Sequence, residues 1–493
     1  MSKKVCHPMT NRSPSRIVAA LRRSGRSGWF ALVAGAVSVT AFALSTACVP
    51  GEQEVVDTRP LGTLDDIFAL QERDDLNVLF ILIDTLRADR LGSYGHDRNT
   101  SPRIDALAES GVRFNRHLSQ SSWTKCSMAS MWTSLYPARS RITRYEDALP
   151  ESAVLPAEIL QEAGFRTTGV YRNGWVAPNF GFAQGFEVYE RPAARSVGQD
   201  VRRENPTVRH GGSDDDLLHA TAEFLDVHGH ERWFLYLHFM DIHEYLYDED
   251  TARFGTGFSD NYDNAILRTN VVLEKLLQYL NEKGYRENTL IIFASDHGEA
   301  FSERGLEGHA RYVYPETTEV PFILSFPFQM ESGLEISTRT ENIDIWPTIL
   351  DLLGLPAMEG VDGESRVPEL LAAARGEPLP ERKRPAIAHL DQNWGQRQRS
   401  SAPHIALVDG DMRFSYTTIQ NEEPRLELFD ASEDPDELEN VIDEHPEVAE
   451  RLSGLTRAYI DHSPEPPWGD EAPPLEIDEI QLNQLRALGY QIP

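Results

Sequence analysis

The hydroxyl group of Thr124 stands at the start of an apolar segment, where it could act as a nucleophile. The segment predicts a helix because its apolar side chains recur at helical spacing: Met128, Ala129, Met131, Trp132 and Leu135. A threonine just before a helix often caps it by accepting hydrogen bonds from free backbone N–H groups. The same helix start carries partial positive charge and favours a bound oxyanion, so a nucleophilic hydroxyl there would face the ester it attacks. The segment alone leaves both interpretations open.

Carboxyl and imidazole groups follow three predicted strands. Apolar runs begin at Asn77, Trp233 and Thr289 and are typical of strands buried on both faces of a parallel α/β sheet. The polar residues after these runs are, in order, Asp84, then Asp241 and His243, then Asp296 and His297. Ligands of open α/β sheets bind at the carboxyl ends of strands, so these residues are placed for chemistry. The alternatives are a helix-capping role for Asp84 and an ordinary hydrogen-bonded role for His243.

Residues 121–137, SSWTKCSMASMWTSLYP, resemble the nucleophile segment of the sulfatases, which belong to the alkaline phosphatase superfamily. That pattern is Cys or Ser, any residue, Pro, Ser, Arg, followed by a Thr-Gly and Tyr-Pro tail. Alignment on the tail places Thr124 at the nucleophile, Cys126 at the Pro, Ser127 at the Ser and Met128 at the Arg. Threonine cannot be oxidised to formylglycine, and the residues after Cys126 lack the Pro and Arg that this conversion needs. Cys126 is therefore predicted to be a small buried residue.

Residues 295–299, Ser-Asp-His-Gly-Glu, resemble the metal-binding signature of the superfamily. The resemblance implies one divalent metal ion held by Asp84, Asp296, His297 and the hydroxyl of Thr124. Such a cation needs anionic oxygens and at most a nitrogen, held rigidly, as residues at strand ends are. Sulfatases with calcium usually carry Asn at the position of His297, so His297 favours manganese, zinc or magnesium over calcium. Thr85 replaces the second Asp of the sulfatase opening and is predicted to contact the substrate.

Three further polar positions follow from the same resemblance. Many sulfatases have an active-site Lys and His where this chain has Asn173, which becomes a substrate-binding candidate or a residue of a solvated loop. The segment LHFMDIH resembles the family's LHxMDPH and implies that His243 contacts the anion or the leaving-group oxygen, whereas His238 is structural. His309 stands where the family has Lys or His after Gly. It is predicted to bind the anion or donate a proton, with a surface-loop histidine as the alternative.

The likeness runs from Asn77 to Tyr490 and implies an α/β fold, a three-layer α/β/α sandwich with a large, mostly parallel sheet. Short alternating strands after Ala386 predict a smaller C-terminal antiparallel sheet with a helix. The predicted organisation is a signal or anchor segment (1–48), a tether (49–76), a catalytic domain (77–385) and a C-terminal α+β subdomain (386–493). Residues 357–385, with Pro, Arg and Glu throughout, are predicted to be linker-like.

The N-terminal segment predicts export. Residues 1–48 contain seven Lys or Arg, no acidic residue, and an apolar stretch that ends in small residues before Cys48. This is typical of an export signal, and the stretch is long enough to be a membrane anchor instead. Cys48 could carry a lipid, although Ser45 stands where lipoprotein signals prefer Leu; cleavage after Ala47 without a lipid is the alternative. The expected location is the cell envelope, in the periplasm or at the outer surface, with membrane tethering.

Composition excludes some partners. The chain carries 78 acidic and 47 basic residues, a net charge of −31. This charge argues against nucleic acid and against an anionic membrane surface as the partner. Of the three cysteines, Cys126 alone lies beyond the export segment and its cut, so no internal disulfide framework is expected.

The combined prediction is an exported, metal-dependent, sulfatase-like ester hydrolase with Thr124 as its nucleophile. A formylglycine hydrate can expel sulfate by collapsing to the aldehyde, whereas a threonine ester must be broken by a second attack at the central atom. The prediction therefore leans towards a phosphate or phosphonate ester rather than a sulfate ester. The substrate would be a sulfated or phosphorylated small molecule, glycan or envelope polymer. Two alternatives remain: a transferase that moves a phosphoryl-linked group onto an envelope acceptor, and a catalytically weak protein of this fold that binds a glycan.

Overall fold

The computed structural model describes residues 57, 59–196, 206–396 and 398–469, together with 475, 477, 482, 483, 485 and 486. Its α-helices are α1 (Leu64–Ala69), α2 (Pro102–Glu109), α3 (Thr124–Thr133), α4 (Pro137–Ser140), α5 (Pro156–Glu162), α6 (Pro206–Gly211), α7 (Asp214–His228), α8 (Phe258–Glu282), α9 (Pro315–Thr318), α10 (Ile345–Leu352), α11 (Val367–Arg375) and α12 (Pro446–His462). Its strands are β1 (Asn77–Ile83), β2 (Val112–Phe114), β3 (His117–Leu118), β4 (Arg166–Val170), β5 (Val188–Glu190), β6 (Trp233–Phe239), β7 (Thr289–Ser295), β8 (Ala300–Phe301), β9 (Glu307–Gly308), β10 (Phe322–Ser325), β11 (Leu334–Ile336), β12 (Thr340–Glu341), β13 (Ala386–Asp391), β14 (Pro403–Asp409), β15 (Met412–Thr417) and β16 (Arg425–Asp430).

An eight-stranded sheet organises the larger part of the fold. Its strand order is β11-β2-β10-β7-β1-β6-β4-β5. Within it β10 pairs antiparallel with both β7 and β2, and the other pairings are parallel. The prediction of a large, mostly parallel sheet is confirmed.

The unbroken apolar run of β1 is explained by burial on both sheet faces. Val78, Phe80 and Leu82 belong to the core cluster that includes α3 and α10. The alternate residues Leu79, Ile81 and Ile83 belong to the core cluster that includes α2 and α8. Successive strand side chains point to opposite faces, so helices on both sides of the sheet bury the whole run. This arrangement is the predicted α/β/α sandwich.

The C-terminal sheet is antiparallel, as predicted. Its order is β13-β14-β15-β16, with each strand antiparallel to the next. One face packs on α12, where Leu407 and Phe414 meet Ala449 and Leu452. The loop after β13 carries Trp394, which stacks on Trp123 at the start of α3 with ring centroids 4.5 Å apart. The small sheet thereby supports the helix that carries Thr124.

Two segments predicted to lack structure are ordered instead. The tether was predicted to extend to residue 76, yet Arg59 is buried and donates hydrogen bonds to the carbonyls of Phe326 and Phe328, and α1 follows it. Ile67 and Leu70 bury apolar surface against the body, which offsets the cost of ordering this short polar segment. Likewise, α11 lies within residues 357–385 and buries Leu370. Both predictions are wrong at these residues.

The predicted export segment, residues 1–48, lies outside the described residues, as do 49–56. Among the helices that are described, none is both long and apolar enough to cross a membrane. Export, lipid attachment at Cys48 and tethering to the envelope stay predictions.

Candidate active site

Four adjacent strands deliver polar residues to one edge of the large sheet. β7, β1, β6 and β4 are neighbours and run parallel, so their carboxyl ends meet. The residues beyond those ends are Asp296 and His297 after β7, Asp84 after β1, His243 after β6 and Asn173 after β4. α3 brings Thr124 to the same place. The fold thus brings together, at one edge of the sheet, these polar residues that the sequence singled out.

The hydroxyl of Thr124 lies between two of these residues. Its Oγ1 is 3.1 Å from His297 Nε2 and accepts a hydrogen bond of 3.2 Å from Asn173 Nδ2. Thr124 is the first residue of α3, and Trp123 occupies the cap position in which Thr124 was expected. The shift of one residue places the threonine inside the first helical turn. All of α3 is buried, so the hydroxyl is held in a fixed, enclosed position.

Asp84 and Asp296 form a buried acid pair with one free oxygen each. Asp84 Oδ2 accepts hydrogen bonds from Asn173 Nδ2 (2.6 Å) and from His238 Nε2 (3.0 Å). Asp296 Oδ1 accepts from the backbone N–H groups of Thr85 (3.2 Å) and His297 (2.9 Å). Asp84 Oδ1 and Asp296 Oδ2 are buried and have no hydrogen-bond partner within the described part of the chain. Buried anionic oxygens without donors are unfavourable, so this pair calls for a cation.

His297 is oriented to complete a metal site with the two free oxygens. Its Nδ1 lies 3.0 Å from the carbonyl oxygen of Gly298, which can only accept, so Nδ1 carries the proton. In the neutral ring, the form that binds a metal, Nε2 would carry the lone pair; it lies 3.9 Å from Asp84 Oδ1 and 3.3 Å from Asp296 Oδ2. One ligand atom from each of the three residues lies within 4.8 Å of the others. Two carboxylate oxygens, an imidazole nitrogen and a nearby hydroxyl fit a divalent cation.

The two acids of the metal-free pair differ in pKa. Burial raises the pKa of Asp296, and the charge of Asp84 adds to this effect. Burial also opposes ionisation of Asp84, but the charges of His243, His238 and His297 outweigh it and lower the pKa of Asp84. Two like charges this close cannot both be ionised easily without a cation.

Two residues next to the acid pair, His238 and Thr85, make contacts that sequence reasoning did not name. His238 was expected to be structural, and its Nε2 hydrogen-bonds to Asp84 while its Nδ1 lies 2.8 Å from Tyr236 Oη. The available signal was a polar residue in an apolar strand, two positions after a tyrosine and thus on the same face. Thr85 has a left-handed backbone (φ 62°), and its hydroxyl donates to the carbonyl of Asp84. Its visible contacts orient the acid pair, and a contact with substrate stays a prediction.

Three histidine rings lie in succession beside the acid pair. The rings of His297 and His309 lie 4.6 Å apart, and those of His309 and His243 lie 5.1 Å apart. Glu299, which sequence reasoning did not single out, accepts a hydrogen bond from His309 Nδ1 at 2.8 Å. Burial lowers the pKa of His309, although Glu299 opposes this. For His243, burial acts in the same direction, but the charges of Asp84, Glu244 and Glu299 raise its pKa to about 9.

Three buried cations next to the site are bonded to other groups. Lys125 follows Thr124 directly, but its Nζ donates to the carbonyls of Arg144 (3.2 Å) and Tyr145 (2.7 Å). Arg172 precedes Asn173 and pairs with Asp214 and Asp241. Arg87 pairs with Asp89 and Glu303. These cations therefore stabilise the loops around the site.

The residues aligned with the rest of the sulfatase nucleophile pattern lie in the core. Cys126 is 1% exposed, and burial raises the pKa of its thiol to about 12, which suits the predicted small buried residue. Met128, at the place of the family's Arg, is fully buried in the cluster under the sheet. Ser127 donates a 2.6 Å hydrogen bond to the carbonyl of Asp296 and so links α3 to the metal-site loop.

The chain matches known protein families and resembles several known proteins. Residues 76–355 match the family model described as Sulfatase, and residues 306–458 match a model described as N-sulphoglucosamine sulphohydrolase, C-terminal. The chain is 23% identical to an N-acetylgalactosamine-6-O-sulfatase of Bacteroides thetaiotaomicron, over 77% of this chain and 92% of that protein. It is 23% identical to an ulvan-active sulfatase of Formosa agariphila, over 79% of this chain and 82% of that protein. Its fold resembles that of a phosphonate monoester hydrolase of Agrobacterium radiobacter (TM-score 0.64, 21% identity, 79% of this chain and 97% of that one).

Proposed function

The chain belongs to the sulfatase family, and we propose that it is a metal-dependent ester hydrolase in which Thr124 is the nucleophile. The proposed substrate is a sulfate ester or, by preference, a phosphate or phosphonate ester of a small molecule, glycan or envelope polymer. The two relatives are named for a sulfated amino sugar and for ulvan, and these names support a carbohydrate as the alcohol part of the ester. Thr124 as nucleophile, the metal requirement and export to the cell envelope are all parts of this proposal.

One observation carries the proposal: the hydroxyl of Thr124 is enclosed with the acid pair. Asn173 Nδ2 bonds both Thr124 Oγ1 and Asp84 Oδ2, and His297 Nε2 lies near Thr124 Oγ1 and Asp296 Oδ2. A capping threonine would need neither contact. A hydroxyl held between an amide donor and a set of metal-binding groups has the surroundings of an activated nucleophile.

Each residue has a role in the proposed reaction. A divalent cation held by Asp84, Asp296, His297 and the Thr124 hydroxyl would lower the pKa of that hydroxyl and polarise a non-bridging substrate oxygen. The Thr124 hydroxyl gives up its proton to solvent water, and its Oγ1 forms a bond to sulfur or phosphorus while the bond to the alcohol oxygen breaks. Asn173 donates to Oγ1 and orients it. His243 or His309 gives a proton to the departing alcohol, and the raised pKa of His243 suits a proton donor at neutral pH.

The threonine ester determines how the reaction ends. Its carbon carries no second hydroxyl, so it cannot collapse to an aldehyde, and water must attack the central atom to release the product and restore Thr124. This second displacement is the reason for the preference for phosphorus esters.

The three buried cations next to the site are bonded to other groups, and this suggests which phosphorus esters the site prefers. A dianionic phosphate monoester needs more fixed positive charge than a monoanionic diester or phosphonate monoester. Lys125, Arg172 and Arg87 are bonded elsewhere, and Met128 replaces the family's Arg. We therefore expect monoanionic esters to be preferred over dianionic ones.

The test is a turnover screen of the purified protein on esters that share one leaving group, 4-nitrophenol. The series is the sulfate, the phosphate monoester, the methyl phosphate diester and the phenylphosphonate, each with manganese, zinc, magnesium or calcium. We expect metal-dependent turnover, with kcat/KM for the diester or phosphonate at least about tenfold above that for the monoester. Faster turnover of the dianionic monoester would contradict the charge argument. Turnover without any metal, after chelation, would contradict the metal requirement.

A second prediction concerns Cys126. Because the thiol is buried and the following residues lack the formylglycine signal, we expect Cys126 to remain unmodified. Mass spectrometry of the tryptic peptide that begins at Cys126 should give the mass of an unmodified cysteine. Cys126→Ala should keep the ester activity of the wild type. An aldehyde at Cys126, or activity lost in this variant without loss of folding, would make Cys126 the nucleophile precursor and remove Thr124 from that role.

A further inference from the structure

The row of histidines ends at a carboxylate that the proposed reaction does not use. Beyond His309 and His243 lies Glu244, whose Oε1 is 3.8 Å from His243 Nδ1. The order by contact is thus His297, His309, His243 and Glu244. A leaving alcohol protonated by His243 or His309 would extend along this row.

One carboxylate oxygen of Glu244, Oε1, has the imidazole of His243 as its charge partner at 3.8 Å, beyond hydrogen-bond distance. The Glu244 side chain is 12% exposed, and its Oε1 is buried with no hydrogen-bond partner in the described ranges. An ionised carboxylate only accepts hydrogen bonds, so a buried oxygen of this kind needs a donor from a ligand or from water.

The next residue shows the same feature together with a strained backbone. Tyr245 has φ 52°, a left-handed conformation that is unusual for a bulky side chain. Its ring stacks on Phe258 with centroids 5.1 Å apart, and its hydroxyl is buried without a hydrogen-bond partner among the residues described. Strain held in place by packing next to an unused polar group is typical of binding sites.

We propose that Glu244, assisted by Tyr245, binds a hydroxyl or ammonium group of the leaving alcohol and so selects neutral or cationic, hydroxyl-bearing alcohols. This inference rests on the proposed function, because it assigns the leaving-group side of the same site. Glu244 accepts a hydrogen bond from the alcohol, and Tyr245 donates or accepts a second one. An alcohol with a carboxylate or a second sulfate at this position would meet a buried negative charge and be rejected.

The experiment compares three esters that carry the same reacting group. They are the 4-nitrophenyl ester, which offers no donor, a hexose ester, and the matching hexuronic acid ester. The reacting group is the one on which the wild type turns over the 4-nitrophenyl compound, or sulfate if it turns over none. The variants are Glu244→Gln, Tyr245→Phe and the control Glu249→Gln, which changes an exposed glutamate of the same loop.

In the wild type, we expect kcat/KM for the hexose ester to exceed that for the hexuronic acid ester by about tenfold or more. Glu244→Gln should lower kcat/KM for the hexose ester by about tenfold to a hundredfold and leave the 4-nitrophenyl ester within about twofold. Tyr245→Phe should act in the same direction with a smaller loss, and Glu249→Gln should match the wild type. Equal losses on the hexose and hexuronic acid esters would mean that Glu244 acts through the proton of His243, which both of these poor leaving groups need, and unchanged values would mean that water satisfies Glu244. Either result would overturn the inference.

A binding measurement separates this inference from the proposed function. Isothermal titration calorimetry of the Thr124→Ala protein with the hexose ester, with and without Glu244→Gln, requires no turnover. Suppose that the wild type turns over none of the esters, so that the proposed function fails. Tighter binding of the hexose ester by the Thr124→Ala protein than by the same protein with Glu244→Gln would then still support the inference. Equal affinity with and without Glu244 would overturn the inference even if every ester is turned over.

Discussion

Thr124→Ala is expected to lower kcat on the best ester by about 1,000-fold or more, as losses of nucleophiles do in other enzymes. The physical reason is that Thr124 Oγ1 is the oxygen held by Asn173 and His297 beside the acid pair. The alanine variant should still bind the metal, because Asp84, Asp296 and His297 remain. Steady-state kinetics and metal titration of the same preparation measure the two effects separately.

Two matched variants make this prediction specific. Thr124→Ser keeps the hydroxyl and should retain activity within about a hundredfold of the wild type. Thr133→Ala removes a buried threonine hydroxyl from the other end of the same helix, where it bonds to the carbonyl of Ala129, and should leave kcat unchanged. During turnover, the tryptic peptide that ends at Lys125 should gain the mass of the transferred group. An alanine variant as active as the wild type would assign the attack to water and remove the covalent intermediate.

The same variant distinguishes the alternatives that the sequence left open. A glycan-binding protein would keep its ligand affinity and its cellular role after Thr124→Ala. A transferase would lose product formation, but its wild type would form product only when an acceptor alcohol is supplied. A hydrolase loses turnover in water alone.

The large sheet could be predicted because its signals are local and strong. The runs at β1, β6 and β7 are apolar at nearly every position, and burial on both sheet faces demands this pattern. The turn residues after them had to lie at one edge once the strands were parallel. The set Asp84, Asp296 and His297 therefore followed from the sequence, with the help of a family resemblance.

The parts that could not be predicted depend on contacts distant in the chain. His238 bonds to Asp84 because β6 lies beside β1, and although the sequence shows a polar residue in this apolar strand, it does not state which group that residue will bind. The fixed position of Arg59 depends on acceptors at Ser325, Phe326 and Phe328, far away in the chain. The side to which Lys125 turns is decided by two carbonyls of a loop about twenty residues away. Tertiary hydrogen bonds of this kind leave little trace in composition or periodicity.

Asp296→Asn is expected to remove metal-dependent activity and yet to stabilise the metal-free protein. The loss of one anionic ligand should lower kcat/KM by about 1,000-fold and abolish the rise in melting temperature that metal binding gives the wild type.

In the metal-free protein, however, Asp296 Oδ2 is a buried oxygen to which no described residue donates a hydrogen bond, and burial and Asp84 raise the pKa of this carboxyl. An ionised group whose pKa is raised by folding destabilises the fold above that pKa, and the cost fades as the pH falls towards its unfolded value. Asparagine should therefore add about 1–3 kcal/mol to the free energy of unfolding at neutral pH, and less in acid.

Asp84→Asn is the matched control, and we expect it to change the free energy of unfolding of the metal-free protein in the opposite direction. Asp84 Oδ2 accepts hydrogen bonds from both Asn173 and His238, and histidine charges lower the pKa of this carboxyl, so its ionised form is stabilised by the fold. Replacing it should lower the free energy of unfolding of the metal-free protein by about 1–3 kcal/mol, while metal-dependent activity is lost as with Asp296→Asn. Chemical denaturation of the chelator-treated proteins measures both changes. If Asp296→Asn also destabilises the metal-free protein, the free oxygen of Asp296 is already satisfied without a cation, and the central argument for a metal site at this acid pair fails.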